Sequence, residues 1–498
     1  MAYDGFGAFV ESLESAGELK RVHQPIATEL EITELADREM KSPGGGKALL
    51  IEKPTVNGHV SPFPLAINTM GSHRRMAMSL GASSMDQVAA ELASLVKAKP
   101  PAGFSEALKL LGTALELRHA RPVMTSKGRC QEVIHREADL ASPQGQFPTL
   151  LSLPILKCWP LDAGRFITLP CVVTRDPDTG ERNVGMYRIQ IFDGRTTGMH
   201  WQLQKVAARH GRRYYETGER MPVSIFLGGD PVLTFCATAP LPDGLDEFLL
   251  AGYLRKKSIQ LVKCASNDLE VPADADFVIE GYVDPKEPLR LEGPFGDHTG
   301  YYSLPDLYPA FHVTAITHRK DAVYPTTIVG HPPMEDFYIG TASVKLFLPV
   351  LKMNFPELVD LALPAEGVFH NLVFASVKKS YPMQAYKIMH GLWGMGQMMF
   401  TKYIIVVDDD VDVHNTSEVL FRLCATTDPQ RDAIFTRGPA DVLDHATTEL
   451  AVGSKLGIDA TRKLPGEGFK REWPPLIKMD ERVKSKINQL ARIFHSPL

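Results

Sequence analysis

The sequence predicts a mixed α/β (α+β) chain built in three stretches: α/β, then mostly β, then α/β again. Three observations carry that reading. Helical spacing dominates the first stretch. β-branched and aromatic runs bounded by Gly, Pro and Asp fill about 166–330, and helices return from about 338 around one strongly apolar strand. With 498 residues the chain can bury two or three cores, and the composition shifts divide it into 1–125, 126–330 and 331–498.

Taken in order, Phe6, Phe9, Val10 and Leu13 share one helical face, and Gly17 ends the run. ATELEITELADREM follows, with Thr28 and Glu31 spaced for a capping box, and stops before SPGGG. ALLIE (48–52) reads as a buried strand, and 73–115 as mostly helical with a break at Pro100-Pro101. Pro and short apolar runs mark 120–165. The strand-rich stretch contains FITLPCVVTR, NVGMYRIQIF, MPVSIFLG, DFVIEGYV, PAFHVTAITHR and VYPTTIV, a pattern that suits a barrel or sandwich interrupted by helices near 200–209 and 245–256. Beyond it, SVKLFLPVLKM, PELVDLAL and PMQAYKIMHGLWGMGQMMF read as helices, and YIIVVDDD as a buried strand ending in carboxylates.

Composition excludes several classes of function. Lys and Arg number 54 against 59 Asp and Glu, a balance of −5 that offers nucleic acid no bulk attraction. The six cysteines lie at least 13 residues apart, which argues against CxxC metal sites and a disulfide framework and favours a reducing, cytoplasmic setting. The N-terminus lacks the basic start and apolar stretch of a signal peptide, and the most apolar window, 382–400, contains Lys387, His390 and Gln397, so it reads as a buried or interface helix. GGGK (44–47) lacks phosphate-loop spacing and reads as a turn. GMGQMM (394–399) reads as close helix packing and FLGGDP (226–231) as a turn, while GSK (453–455) is either a turn or an anion contact. The carboxylates at 408, 409, 410 and 412 read as a solvated strand end.

Three segments carry more chemistry. EGPFGDHTGYY (292–302) holds Glu292 and Asp297 in a loop shaped by Pro and Gly, with His298, Tyr301 and Tyr302 beside them. It is either an acid-rich turn or a pair of carboxyls whose pKa values are pushed apart so that one keeps a proton. ERNVGMYRIQIF (181–192) carries Asn183 and Arg188 on opposite faces of a regular strand, so a shared site needs a bulge at Gly185 or a ligand that wraps around the strand. In LPDGLDEFLLAGYLR (241–255), Asp243 or Asp246 suits a helix cap and Glu247 a first helical turn, while His200 in GMHWQLQ suits either a ligand or a packed histidine.

Together these segments resemble the UbiD family of prenylated-FMN-dependent decarboxylases, and most nearly its ubiquinone-biosynthesis branch. The likeness runs through GELKRV, LEITELADR, NVGMYR, LVKCASNDLEVPA, FVIEGYV, EGPFGDHTGYY, FTKYIIVVDDDVD, GSKLGIDAT and KREWPP. The resemblance implies a central split β-barrel that binds the flavin and a C-terminal domain that mediates dimerisation, with the apolar helix 382–400 as an interface element. It implies Asn183, His200 and Glu247 as ligands of a divalent ion joined to the cofactor phosphate, Mn²⁺ before Mg²⁺, with K⁺ as a further candidate. Met186, Tyr187, Arg188, His200, Trp201 and Gln202 match cofactor-contacting positions. Arg188, Glu292 and Asp297 match the charged trio beside the reactive ring, with Asp at 297 where several branches carry Glu.

The implied activity is reversible, non-oxidative decarboxylation of a 4-hydroxybenzoate-type acid, with or without a 3-polyprenyl tail, releasing CO₂. The alternatives are the same chemistry on a small phenolic, heteroaromatic or menaquinone-pathway acid, or a flavin-binding subunit with no activity of its own. The implied partners are a flavin prenyltransferase that supplies the cofactor and further copies of the chain in a dimer or hexamer. A peripheral contact with the inner membrane stays open, and no nucleic acid is expected.

Overall fold

In a computed structural model that describes residues 2–96, 119–141, 149–202, 204–241 and 244–491, the first helix runs Phe6–Ser15 and buries Phe6, Phe9, Val10 and Leu13, the face that the spacing predicts. It covers a four-stranded sheet of Leu19–Val22, Ala48–Ile51, Leu65–Ile67 and Tyr324–Thr326, whose last strand arrives from far along the chain. The helix Glu31–Met40 forms as expected, but its start differs: Glu31 Oε2 accepts from the Ala27 amide at 2.8 Å, while Thr28 Oγ1 donates to the Thr55 carbonyl at 3.1 Å. Thr28 is drawn into strand contacts by both its amide and its hydroxyl, and Leu30 is the N-cap, so the capping box does not form. Helices His73–Ser79 and Met85–Val96 follow, and the Pro100-Pro101 break lies outside the described residues.

A nine-stranded antiparallel sheet, curled into a half-barrel, forms the centre. Its edge strand Arg182–Met186 pairs with Cys171–Arg175, whereas Ile189–Ile191 pairs with Thr196–Met199 and with Phe166–Ile167 at the far end of the same sheet. Only Tyr187 and Arg188 lie between those two strands, so they cross the open side of the curl. The register of Arg182–Met186 is continuous through Gly185, and the break falls at 187–188 instead of a bulge at 185. Gly185 is needed for another reason: a Cβ there would collide with the Tyr187 ring folded back over it.

The helix expected near 200–209 begins later, at Val206–Thr217, leaving His200, Trp201 and Gln202 outside any helix or strand, His200 and Trp201 both buried. Gly228 and Gly229 take positive φ in the turn before Asp230, which caps Pro231–Cys236. The helix Glu247–Arg255 is capped by Asp246, whose Oδ1 accepts from the Phe248 amide at 2.8 Å; Asp243 lies outside the described residues. All six cysteines are free.

The 20-residue helix Glu335–Asn354 ties the parts together, lying against Met85–Val96, His73–Ser79 and the first strand of the C-terminal sheet. That sheet runs in the order Leu358–Ala362, Leu372–Val377, Tyr403–Asp408, Val452–Asp459, Ala433–Pro439. PELVDLAL is therefore a strand, not a helix: prolines at 356 and 364 leave too few residues for a stable helix, while pairing with Leu372–Val377 satisfies the backbone. The apolar helix is shorter than expected. It spans Gln384–Trp393, ends at Gly394, and Gly396 turns the chain with φ +45°. Ala385, Ile388, Met389 and Leu392 are buried against the sheet of their own domain, so they are not free to face a partner. GSK falls within the strand Val452–Asp459, where Lys455 Nζ donates to the Thr401 and Pro439 carbonyls, both at 3.0 Å, so it is neither a turn nor an anion contact. Among the described residues no helix is long and apolar enough to cross a membrane.

Candidate active site

The crossing at 187–188 sets Arg188 against the loop 293–303. That loop is pinned from several sides. Gly296 N donates to Asp162 Oδ1 at 2.7 Å, Gly293 N to Gln190 Oε1 at 2.8 Å, and Phe295 N to Ser303 Oγ at 3.2 Å. A Cβ at Gly296 would collide with Trp159, so the backbone there lies directly on the indole. Asp162 also accepts from the Cys158 and Trp159 amides at 3.1 and 2.9 Å, and burial raises its pKa to about 6 despite those three donors.

Arg188 meets Glu292 side-on, Nε to Oε1 at 2.8 Å and Nη2 to Oε2 at 2.9 Å, while Nη1 donates to Asp297 Oδ2 and Nη2 to Ser303 Oγ at 3.1 Å. The guanidinium lies over Phe295, 5.1 Å from the ring centroid. Side-chain exposure is 9% for Arg188, 0% for Glu292 and 9% for Asp297, so this is a desolvated cluster in which each charge depends on its partners. Burial alone would raise both acids. Arg188 and His200 instead hold Glu292 down to about 2, and Arg188, with His298, holds Asp297 well below the usual carboxylate range. Of the two readings the sequence leaves open, the geometry does not push the acids apart: both face the same cation, and it holds both below the ordinary carboxylate range.

The second group lies on the strand Arg182–Met186 and the helix Glu247–Arg255. Asn183 is buried, and Glu247 Oε2 accepts from the next amide, Val184 N, at 2.8 Å. Those contacts bring Asn183 and Glu247 to one place. Among the described residues no side-chain cation pairs with Glu247; Arg182 is turned to Asp246 and Glu270. Burial accordingly raises the Glu247 pKa to about 7. His200 lies against the charged cluster: Nδ1 is 3.2 Å from Glu292 Oε2, its ring lies 4.3 Å from that of Tyr308, and Nε2 is buried with no partner among the described residues. Burial and the nearby Arg188 lower its pKa, leaving a neutral imidazole able to offer a lone pair. Trp201 Nε1 is likewise buried without a partner. Met186 N bonds the Ala237 carbonyl at 3.1 Å, Tyr187 OH lies 3.5 Å from Asn183 Nδ2, and Gln202 Oε1 accepts from Gln204 at 2.9 Å. An uncompensated buried carboxyl, an adjacent amide side chain and an orphaned imidazole nitrogen fit a divalent cation bound with an anion.

Sequence reading missed several residues that complete the cluster: Asp162, Phe295, Ser303 and Tyr308, and the C-terminal residues His370 and Asp441. Asp297 Oδ1 is 2.9 Å from His298 Nδ1, and His298 Nε2 is 2.8 Å from His370 Nε2. The adjacency of His298 to Asp297 was visible in the sequence, but nothing in EGVFHN signalled His370.

Comparison with known proteins covers nearly the whole chain. Residues 10–95, 121–332 and 337–460 match the N-terminal, Rift-related and C-terminal domain models of 3-octaprenyl-4-hydroxybenzoate carboxy-lyase, UbiD. An uncharacterized protein of Archaeoglobus fulgidus is 46% identical over 98% of both chains, and one of Aquifex aeolicus is 46% identical over 97% of this chain and 96% of its own. Among solved structures, the closed form of Sedimentibacter hydroxybenzoicus vanillic acid decarboxylase has a TM-score of 0.83 at 25% identity, covering 99% of this chain and all of that one. The UbiD-class enzyme HmfF of Pelotomaculum thermopropionicum, in complex with FMN, has a TM-score of 0.76 at 25% identity, covering 95% of this chain and 97% of its own.

Proposed function

The chain belongs to the UbiD family of carboxy-lyases, and from that premise we propose that it decarboxylates an aromatic acid of the 4-hydroxybenzoate type, reversibly and without net oxidation, using prenylated FMN. The observation that carries the reading is Arg188 held between Glu292 and Asp297, with Asn183 and Glu247 drawn together on the strand that leads into it.

When bound, the modified flavin supplies the electron sink that no side chain provides for charge left on an sp² carbon. Asn183, His200 and Glu247 would hold a divalent ion, Mn²⁺ before Mg²⁺, that neutralises the cofactor phosphate; the His200 nitrogen without a partner among the described residues and the buried Glu247 carboxyl, bonded to the Val184 amide but raised by burial, support that role. Arg188 orients the substrate carboxylate as a fixed cation with a planar fork. An arriving carboxylate competes with Asp297 for that guanidinium. As Asp297 loses its cation its pKa rises, so it takes up a proton and delivers it to the ring carbon from which CO₂ has left. Glu292 stays bonded to two atoms of Arg188 and keeps it aimed. The low exposure of all three side chains excludes water from the step.

A flavin prenyltransferase would supply the cofactor. The test is protein co-produced with such an enzyme, assayed for CO₂ release from 4-hydroxybenzoates with and without a prenyl tail and, because the reaction is reversible, for solvent deuterium exchange into the phenol product. Release or exchange that disappears in Asp297→Asn is expected. Fully loaded protein showing neither on any phenolic acid overturns the reading.

A further inference from the structure

The loop that carries Asp297 touches the C-terminal domain through the Tyr301–His445 ring pair and through a polar cluster centred on His298. His298 lies on the barrel side. His370 follows the turn Ala365–Gly367 on the other, and Asp441 follows the strand Ala433–Pro439. His298 Nε2 and His370 Nε2 are 2.8 Å apart, and His370 Nε2 is 4.0 Å from Asp441 Oδ2. One ligand atom from each residue falls within 4.8 Å of the others. With metal–ligand bonds of about 2.0–2.2 Å, ligand atoms on one ion lie roughly 3–4 Å apart, so these three need to shift only slightly to share a cation.

We propose that His298 Nε2, His370 Nε2 and Asp441 Oδ2 form a second divalent-cation site, of the zinc class, at the seam between the barrel and the C-terminal domain. Two imidazoles and one carboxylate are a donor set that first-row divalent ions accept, with a position left for water. The surroundings are arranged for it. Asp297 Oδ1, 2.9 Å from His298 Nδ1, fixes the ring with Nε2 turned toward His370, as a carboxylate commonly does behind a metal-bound imidazole. Val368 and Phe369, directly before His370, both take left-handed backbone with φ +46° and +51°. Such conformations are costly for a β-branched and an aromatic residue, and they persist only where the surroundings impose them. Here they deliver His370 to the seam, with the Phe369 ring tilted at 39° to that of His298, centroids 5.3 Å apart. Among the described residues His370 Nδ1 is buried without a partner, and the ring's polar contacts run through Nε2. The ion would join two parts of the chain far apart in sequence and fix the side of the loop opposite Arg188. The inference does not depend on the reaction proposed above, because no substrate or flavin enters it.

The test uses full-length, flavin-free protein carrying Glu247→Gln, which removes a ligand of the family-type site, stripped of metal and titrated with Co²⁺ alone. One equivalent is expected, with visible absorption of an imidazole-ligated ion and a rise in unfolding temperature. His370→Ala and Asp441→Asn should each weaken Co²⁺ binding at least tenfold and abolish the temperature rise. If His370→Ala does not fold, Asp441→Asn and His370→Gln decide. Absence of Co²⁺ bands in the Glu247→Gln protein, or binding left unchanged by Asp441→Asn and His370→Gln, overturns the site.

Discussion

Arg188 and Glu292 form a two-bond, side-on pair, 2.8 and 2.9 Å, in which the carboxylate is fully buried. Removing the cation leaves that fully buried carboxylate with His200 as its remaining side-chain partner among the described residues. Arg188→Ala should therefore abolish turnover and destabilise the fold by about 3–5 kcal/mol. Arg188→Lys should recover part of the stability but little activity, because an ammonium cannot make the planar two-bond contact. Urea unfolding and kcat on the loaded enzyme check both statements.

Stability should fall in acid because of this pair. Glu292 ionises in the folded chain at about 2, against an ordinary value of 4.5, so its contribution is complete above about 4.5 and is lost as the pH drops toward 2. The shift corresponds to about 3 kcal/mol. Unfolding free energies of flavin-free protein between pH 7 and 2.5 should decline more steeply than those of Glu292→Gln. Parallel curves would show that Glu292 carries no such linkage.

Asp162 holds the catalytic loop through Gly296 N at 2.7 Å while touching none of the charged trio. Asp162→Ala leaves three amides short of an acceptor and should cost about 1–3 kcal/mol. It should lower kcat more than it changes KM, since Asp297 is the group displaced. An unchanged kcat would mean that the loop is held well enough without it.

Gly296 lies on Trp159 with no room for a methyl group. Gly296→Ala should destabilise by about 1–3 kcal/mol and alter indole fluorescence, because either the ring or the loop must move. Gly180, at an exposed turn with open space around its α-carbon, serves as the control; its φ of +74° makes alanine there a test of strain without collision.

Metal retention separates the two groups of site residues. Loaded protein dialysed against buffer should keep its divalent ion in wild type and lose it in Asn183→Ala and Glu247→Gln, as read by elemental analysis. Asp297→Asn should keep it, because the carboxylate at 297 is turned to Arg188 and His298.

Much of this was legible in the residues themselves. The first helix, the buried strand at 48–51, the strand-rich centre and the carboxylate-ended strand at 403–408 follow from periodicity, because burying one face sets the spacing. The departures came where tertiary contacts outweighed local pattern. PELVDLAL has helical spacing but only a strand partner to bond with, and the apolar helix stops at Gly394 because the chain must turn there. In the site, Asn183, Arg188, Glu292 and Asp297 were identifiable by motif, and the resemblance grouped Arg188 with the two acids. Spacing in the loop alone left the charge state of those acids open, because it does not show that one guanidinium more than a hundred positions away bonds both.

By itself the sequence determined the order of the elements, the family to which the chain belongs and the residue types at the reacting centre, since all three are written in local pattern. Only the tertiary structure decided that Tyr187 and Arg188 cross the open side of the curled sheet, that Asp162 anchors the loop, and that His370 and Asp441 meet His298. Contacts between distant segments depend on how a sheet curves and where strands end, and a linear chain of residues records neither.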